Sequence, residues 1–186
     1  GSEMCIRDSV SLMFLHGAGQ SMRTWQTTPD GREGFQSVFL RKGYPVYLID
    51  QPRRGDAGRA TVDGTIKASP DEQFWFGQFR MGLWPKFYDN SAFASQKDLN
   101  SFWRQMTPNT APYNDKVIAD AVTDALKKTK DTVLVTHSQG CGPGWLIGTE
   151  AGKNLKGIIA FEPGSGFIFP EGKVPAPIPN NSCLLY

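Results

Sequence analysis

The chain has 186 residues, of which 39% are hydrophobic and 20% charged, a composition typical of a globular domain rather than a disordered chain. Twenty basic and 18 acidic residues give a formal net charge of +2 without a basic cluster, which argues against nucleic acid as a partner. The spacing of Cys5, Cys141 and Cys183 suggests neither zinc nor a disulfide framework, and no apolar run reaches the roughly 20 residues of a membrane helix. We therefore expect no metal, no other cofactor and no membrane span.

The first part of the chain predicts a β-α-β pattern. Residues 1–9 resemble translated sequencing-adapter sequence, and we expect them to be non-native. The apolar run 10–15 predicts a buried strand, which opens into the glycine turn 16–19. Apolar residues at helical spacing then predict a helix that ends at Gly43, and residues 45–50 predict a second buried strand.

The alternation of strands and helices is lost between about residues 56 and 113, where large aromatic side chains are dense. This segment is too long for a simple loop, so we expect an insertion with short helices, of which 96–106 is the best candidate. Two interpretations stay open: the insertion packs against the sheet, or it covers a pocket.

The α/β pattern returns after the insertion. Four further elements are predicted: an amphipathic helix at 115–128, a strand at 132–136, a helix around 145–147 and a strand at Leu155–Phe161. Alternating strands and helices predict an α/β fold, in which a mostly parallel sheet is covered by helices on both faces. Ligands bind such sheets at the carboxyl ends of the strands, where this chain places the turn 16–19, Ser138 and Glu162.

The motif Thr136-His137-Ser138-Gln139-Gly140 lies between a predicted strand and a predicted helix, which is the context of a nucleophile elbow. The elbow strains the backbone of Ser138, so we expect the outer positions to be small and to avoid each other; Gly140 is small, and Thr136 is larger than usual. The helix that follows directs its positive end toward the serine, although its glycines and Pro143 predict an irregular start.

A second feature supports catalysis by Ser138 over its alternative role as a helix cap. An oxyanion hole needs a second backbone N–H from the loop after another strand, and the turn His16-Gly17-Ala18-Gly19 supplies such a loop. We expect the two donors to be the amides of Ala18 and Gln139.

With these motifs the sequence resembles the α/β-hydrolase superfamily and, within it, a small group of secreted or periplasmic bacterial carboxylesterases. The resemblance covers most of residues 10–165. Its specific signatures are Trp25-Gln26-Thr27-Thr28-Pro29-Asp30-Gly31-Arg32, Phe39-Leu40-Arg41-Lys42-Gly43-Tyr44, Asp50-Gln51 with Arg54-Gly55, His137-Ser138-Gln139, and Glu162-Pro163-Gly164. Members can carry adjacent cysteines where Ala18 and Gly19 stand, so any redox feature of that turn is lost here.

Members of that group use a serine, a glutamate and a late histidine, and the resemblance implies that Glu162 is the acid. A triad needs such a carboxylate to orient the imidazole and to stabilise its charged form. The alternatives are that Glu162 only caps a helix or faces solvent, and that Asp50 is the acid. The neighbours of Asp50 instead suggest that it stabilises a turn.

The general base is missing from this constellation, because the chain has two histidines with other interpretations. His16 and Gly17 are predicted to support the oxyanion turn, and the side chain of His137 is predicted to point away from Ser138. The histidine follows the acid in hydrolases of this order. We therefore expect a fragment that lacks both ends and its base, is inactive by itself, exposes both sheet edges, and continues from 166 to 186 as a tail with non-native last residues.

The resemblance implies a carboxylic ester hydrolase that forms an acyl-enzyme intermediate on Ser138. Its partner is then a small-molecule ester, a hydrophobic one if the insertion forms a cap. An acyltransferase, a lactonase and a non-catalytic binding protein on the same fold stay open, as does a homodimer. Dehalogenase and epoxide hydrolase chemistry is disfavoured because both use aspartate at this position. A periplasmic or secreted location rests on the resemblance alone.

Overall fold

The structure, a computed structural model, describes residues 10–66, 72–91 and 95–165, so the predictions for 1–9 and 166–186 lie outside the described residues. The elements are, in chain order, β1 (Ser11–Leu15), α1 (Phe35–Arg41), β2 (Val46–Ile49), α2 (Glu72–Gln78), β3 (Gly82–Leu83), β4 (Lys86–Phe87), α3 (Gln96–Arg104), α4 (Asp115–Leu126), β5 (Thr132–His137), α5 (Cys141–Glu150) and β6 (Leu155–Phe161). Among the helices in these ranges, none has the length and apolar character needed to cross a bilayer.

Four strands form a parallel sheet in the order β2-β1-β5-β6. The central strand β1 pairs on both sides, with Met13 opposite Tyr47 of β2 and opposite Leu134 of β5. The pairing of β5 with β6 continues in parallel, with Val135 opposite Ile159. Because all four strands run the same way, their carboxyl ends meet at one edge of the sheet, as predicted.

Side chains alternate between the two faces of the sheet, and helices cover both faces. Met13 and Leu15 of β1 are buried in a core cluster with α4 and α5. Leu12 and Phe14 point the other way, into a cluster with Trp25 and Phe39, the latter from α1. The two-residue period of a strand therefore distributes one apolar run between two cores. The predicted fold class, an α/β fold with a mostly parallel sheet and helices on both faces, is confirmed.

Local signals explain where the main helices begin and end. The side chain of Asn114 accepts a hydrogen bond from the amide of Val117 at 3.0 Å, which caps the start of α4. Gly43 follows α1 with φ at +82°, the left-handed conformation predicted for it. A 3₁₀ turn, Ser138–Gly140, precedes α5 and is the irregular helix start that the glycines predict.

The insertion contains α2, the β3–β4 hairpin and α3, of which only α3 was predicted from the sequence. Its buried side chains Phe76, Met81 and Leu99 form a third core cluster, with Phe87 and Phe102 packed against it. This cluster includes no residue of the parallel sheet. The insertion is thus held together by its own small core.

The strands β2 and β6 form the two edges of the described sheet. Several large apolar side chains at these edges are exposed, including Tyr47, Ile159 and Phe161. Within the described ranges, both edges therefore offer unpaired backbone groups, as expected from the sequence.

Candidate active site

Ser138 occupies a sharp turn between β5 and the helical segment that leads into α5. Its φ is +51°, a left-handed value that a residue with a Cβ rarely adopts. The amide of Gly164, in the segment after β6, donates a hydrogen bond of 3.0 Å to the Ser138 carbonyl. The serine therefore has the strained backbone that a nucleophile elbow requires, and a neighbouring strand end supports it.

Two glycines make this turn possible, in a way that differs from the sequence expectation. A Cβ on Gly140 would lie 2.4 Å from the His16 carbonyl oxygen, so Gly140 allows the turn to approach the loop after β1. A Cβ on Gly144 would lie 2.9 Å from Cγ2 of Thr136, so Gly144 accommodates the larger threonine. The expectation from the sequence concerned positions 136 and 140 alone, and the structure adds Gly144 as the residue that accommodates Thr136.

The loop after β1 lies directly against Ser138. A Cβ on Gly17 would be 3.0 Å from the Ser138 Cβ, and the Gly17 amide donates to Oε1 of Gln20 at 2.8 Å. Ala18 and Gln139 both line the cavity that contains Ser138. The two residues whose amides are the predicted oxyanion donors therefore both border the cavity at Ser138.

His16 is fully buried and holds the loop through both ring nitrogens. Its Nδ1 lies 3.0 Å from the Gly17 carbonyl oxygen, and its Nε2 accepts from the Gln51 amide at 3.1 Å. These partners require the neutral tautomer with the proton on Nδ1. Burial lowers the pKa of His16 to about 4, and the 3.6 Å approach to Asp50 is therefore not an ion pair at neutral pH.

His137 and Glu162 lie side by side at the mouth of the site. The His137 Nε2 is 3.8 Å from a Glu162 carboxylate oxygen, and its Nδ1 is 3.0 Å from Oε1 of Gln20. Burial lowers the pKa of His137, although Glu162 acts in the opposite direction. The Glu162 side chain is 81% exposed, and its φ of +44° is again left-handed. The carboxylate is thus open to a further partner on its solvent side.

Asp50, the rival acid, is engaged elsewhere. Its two carboxylate oxygens accept from the amides of Met22 at 2.6 Å and Asp56 at 2.7 Å. It lines a separate, polar cavity of about 460 Å³ to which Ser138 does not contribute. These contacts are those of a carboxylate that stabilises turns.

A cavity of about 730 Å³ connects Ser138 with the insertion. The sheet side contributes Ser138, Gln139 and Glu162, and the insertion contributes several large side chains: Trp75, Phe79, Met81, Phe102 and Met106. The volume lies within the range of small-molecule sites. The insertion therefore packs on its own core and also lines one side of this cavity.

Sequence reasoning missed the contacts of two polar residues at the site. Arg54 was noted only as part of a signature, yet its buried guanidinium bonds both to the Gly17 carbonyl and to the Gln139 side chain. Tyr113 donates to Asp115 in the wall of the cavity, and burial raises the pKa of its hydroxyl. The Arg54 contacts join residues far apart in the chain, so no local pattern indicates them. The Tyr113–Asp115 contact is local, but its place in the cavity wall follows only from the fold.

A parallel sheet of this order, with a left-handed serine after one strand and a glycine turn after its neighbour, defines the hydrolase class of α/β folds. A model of the alpha/beta hydrolase family matches residues 12–182, and the chain belongs to that family.

Two relatives give the family more detail. The chain is 32% identical over 161 residues to the "Probable secreted lipase phiG" of Fungal sp. (strain ATCC 74256), covering 82% of this chain and 44% of the lipase. A solved structure, titled "The Atomic Resolution Structure of a Novel Bacterial Esterase", superimposes with a TM-score of 0.67 and 26% identity, covering 83% of this chain and 53% of the esterase. The chain thus spans about half the length of each.

Proposed function

We propose that the protein is a carboxylic ester hydrolase with Ser138 as its nucleophile. The observation that carries this proposal is the left-handed Ser138, which lines one cavity together with Ala18 and Gln139. This is the arrangement that acyl transfer needs, because the attacking oxygen and the donors for the developing oxyanion must converge on one carbonyl group. The lipase and the esterase to which the chain is similar act on esters by their names, which supports the same substrate class here.

In the proposed reaction, Oγ of Ser138 attacks the ester carbonyl carbon while a histidine takes the hydroxyl proton. The carbonyl oxygen becomes an oxyanion, to which the Ala18 and Gln139 amides donate. Collapse of this intermediate breaks the ester bond, the histidine returns its proton to the leaving alkoxide, and water then hydrolyses the acyl-enzyme by the same steps. Glu162 orients the histidine and stabilises its charged form.

The histidine of this mechanism is neither of the two in the chain. His16 is buried with both nitrogens engaged, and His137 donates to Gln20 on one side and faces Glu162 on the other. We assign the base to a histidine outside these 186 residues, which would approach Glu162 from its exposed side. The 186-residue chain alone should then show no Ser138-dependent turnover.

The aromatic lining of the cavity favours a hydrophobic acyl or aryl ester. Trp75, Phe79 and Phe102 present apolar surface toward Ser138, and burial of such groups against an apolar substrate is favourable at about 25 cal/mol per Å². Secretion is the location we propose, because the similar lipase is described as secreted.

The test is hydrolysis of p-nitrophenyl esters by the full-length protein that contains this chain. Ser138→Ala should reduce kcat by at least about 10³-fold, and Ser101→Ala, on α3 outside the cavity, should leave kcat unchanged. Undiminished hydrolysis by Ser138→Ala would overturn the assignment. Transfer of the acyl group to an added alcohol in preference to water would identify an acyltransferase, and binding without turnover would identify a non-catalytic protein.

A further inference from the structure

Arg54 follows β2 and has the largest fully buried side chain of the described residues. The residue is 2% exposed, and its guanidinium bonds to three parts of the chain. Nη1 donates to the Gly17 carbonyl at 2.8 Å, Nη1 and Nη2 approach Oε1 of Gln139 at 3.3 Å each, and Nε and Nη2 donate to Oδ1 of Asn109 at 2.9 and 2.5 Å. One guanidinium therefore donates hydrogen bonds to both segments that form the proposed oxyanion hole.

Among the described residues this cation has no carboxylate in direct contact, although Asp50 acts on it electrostatically from beyond ion-pair distance. Within residues 10–66, 72–91 and 95–165, no ion pair of Arg54 is found, and its hydrogen-bond acceptors are a carbonyl and two neutral amides. Burial lowers the pKa of its guanidinium, which reflects the cost of removing the charge from water. A guanidinium nevertheless stays protonated in proteins, so a positive charge lies behind the loop after β1.

The hydrogen bond to the Gly17 carbonyl also determines the direction of the Ala18 N–H. The Gly17 carbonyl and the Ala18 N–H belong to the same peptide unit, and the one cis peptide bond among the described residues is Trp84–Pro85. In a trans peptide the C=O and N–H point in opposite directions. Arg54 and His16 both bind the carbonyl oxygen, as does the Gln20 amide at 3.4 Å, so the Ala18 N–H points away from these three groups. Ala18 itself lines the cavity.

The same guanidinium holds the second donor. Oε1 of Gln139 faces Arg54, and the backbone of Gln139 provides the other proposed amide in the 3₁₀ turn after Ser138. One rigid planar group therefore sets the spacing between two loops that come from different strands. Its charge also polarises the Gly17–Ala18 peptide, because a cation at the carbonyl oxygen strengthens the N–H as a donor.

We propose that Arg54 is the positioning residue of the oxyanion hole, which aligns the Ala18 and Gln139 amides and supplies the positive charge behind them. This inference rests on the proposed serine esterase mechanism. An alignment role predicts loss of transition-state stabilisation, whereas a purely structural role predicts loss of stability without a change in how ligands are discriminated.

The experiment compares Arg54→Lys with Arg53→Lys in the full-length protein. Lysine keeps the charge but cannot reproduce the fork. The neighbouring Arg53 is the matched control, because its guanidinium donates to the Pro112 carbonyl rather than to the oxyanion segments. Arg54→Lys should lower kcat by about 10- to 100-fold while KM stays within about threefold of its original value. This fall in kcat is smaller than that expected from losing an entire oxyanion donor, and Arg53→Lys should change neither kcat nor KM.

A pair of ketone inhibitors of the same chain length separates alignment from packing. A trifluoromethyl ketone forms a covalent bond to Ser138 Oγ, its carbonyl oxygen becomes the oxyanion, and the serine proton passes to the histidine; the methyl ketone forms no such adduct. Arg54→Lys should weaken binding of the trifluoromethyl ketone by the same factor by which it lowers kcat/KM, and it should leave the affinity for the methyl ketone unchanged. Equal effects on both ketones, or no effect on either, would overturn the proposal.

Asn109→Ala provides a second variant if Arg54→Lys does not fold. It removes an acceptor of Arg54 without touching Gly17 or Gln139, and it should show the same selective loss of trifluoromethyl ketone affinity, at about three- to tenfold. A loss of thermal stability with unchanged ketone discrimination would refute alignment by Arg54. Failure of the esterase mechanism itself is recognised separately, because Ser138→Ala would then keep its turnover.

Discussion

Gly140→Ala tests whether the contact between the elbow and the loop after β1 determines both stability and activity. The new Cβ would lie 2.4 Å from the His16 carbonyl oxygen and 3.1 Å from that of Leu15, whereas a Cβ contact requires at least 3.0 Å. Both atoms belong to the backbone, so the start of α5 must shift. Overpacking of this kind costs about 1–3 kcal/mol of unfolding free energy. The shift also displaces Ser138 from the proposed oxyanion donors, and a misplacement of this order lowers kcat by about 100-fold.

The matched control is Gly157→Ala in β6, where a Cβ would meet no atom within 4 Å. This substitution should leave the unfolding free energy unchanged or raise it by up to about 1 kcal/mol, because alanine restricts the unfolded chain. Urea denaturation gives the free energies, and p-nitrophenyl ester hydrolysis by the full-length protein gives kcat. If Gly140→Ala matches Gly157→Ala in both measurements, the close approach of the elbow to the loop does not constrain the site.

Three further outcomes are expected. The unfolding free energy should fall by up to about 3 kcal/mol as the pH is lowered from 6.5 to 4. In the unfolded state His16 is protonated at its ordinary pKa, whereas in the folded state its pKa is about 4. His16→Asn should remove this pH dependence from the unfolding free energies measured by urea denaturation. Glu162→Gln should lower kcat by about 10²- to 10⁴-fold, whereas Asp50→Asn should retain kcat and lose about 1–3 kcal/mol of stability through its two amide contacts; the reverse result would make Asp50 the acid. Phe79→Ala should lower kcat/KM for naphthyl esters by about tenfold while acetate ester hydrolysis is retained, and Phe74→Ala, outside the cavity, should not discriminate between the two substrates.

The sheet and its helices could be predicted from the sequence because their signals are local. Strands such as β1 are short apolar runs between turn residues, and α4 repeats apolar side chains on one face. The predicted strand boundaries differ from the observed ones by at most one residue, for example 10–15 against Ser11–Leu15, whereas the helix predicted around 145–147 extends over Cys141–Glu150. Such differences arise at strand and helix ends, where pairing with a neighbour decides the last residue.

The insertion was less predictable because its structure depends on contacts between distant residues. The strands β3 and β4 have two residues each, too few for a two-residue period to be visible. The cluster of Phe76, Met81 and Leu99 joins α2, the segment before β3, and α3. Aromatic density indicated an insertion, and its arrangement followed only from the structure.

The site shows the same division between local and non-local information. The motif around Ser138 is local, and the structure gives Ser138 the expected left-handed backbone; its catalytic role and those of Glu162, Ala18 and Gln139 stay predictions. Apart from the family signature, which includes Arg54-Gly55, nothing in the sequence separates Arg54 from Arg53, since both stand in one turn. The structure distinguishes them: Arg53 has φ at +72°, and Arg54 alone is fully buried.

A hydrogen bond between the insertion and the loop after β1 has a consequence for substrate entry. The amide of Thr107, just after α3, donates to the Gly19 carbonyl at 2.7 Å, and a Cβ on Gly19 would overlap the Met106 side chain. The segment just after α3 is therefore bound to the loop that contains Ala18. Any displacement of α3 would therefore break this bond or move the loop, and with it the Ala18 amide that we propose as an oxyanion donor. We therefore expect the chain length of an ester that displaces α3 to affect kcat as well as KM.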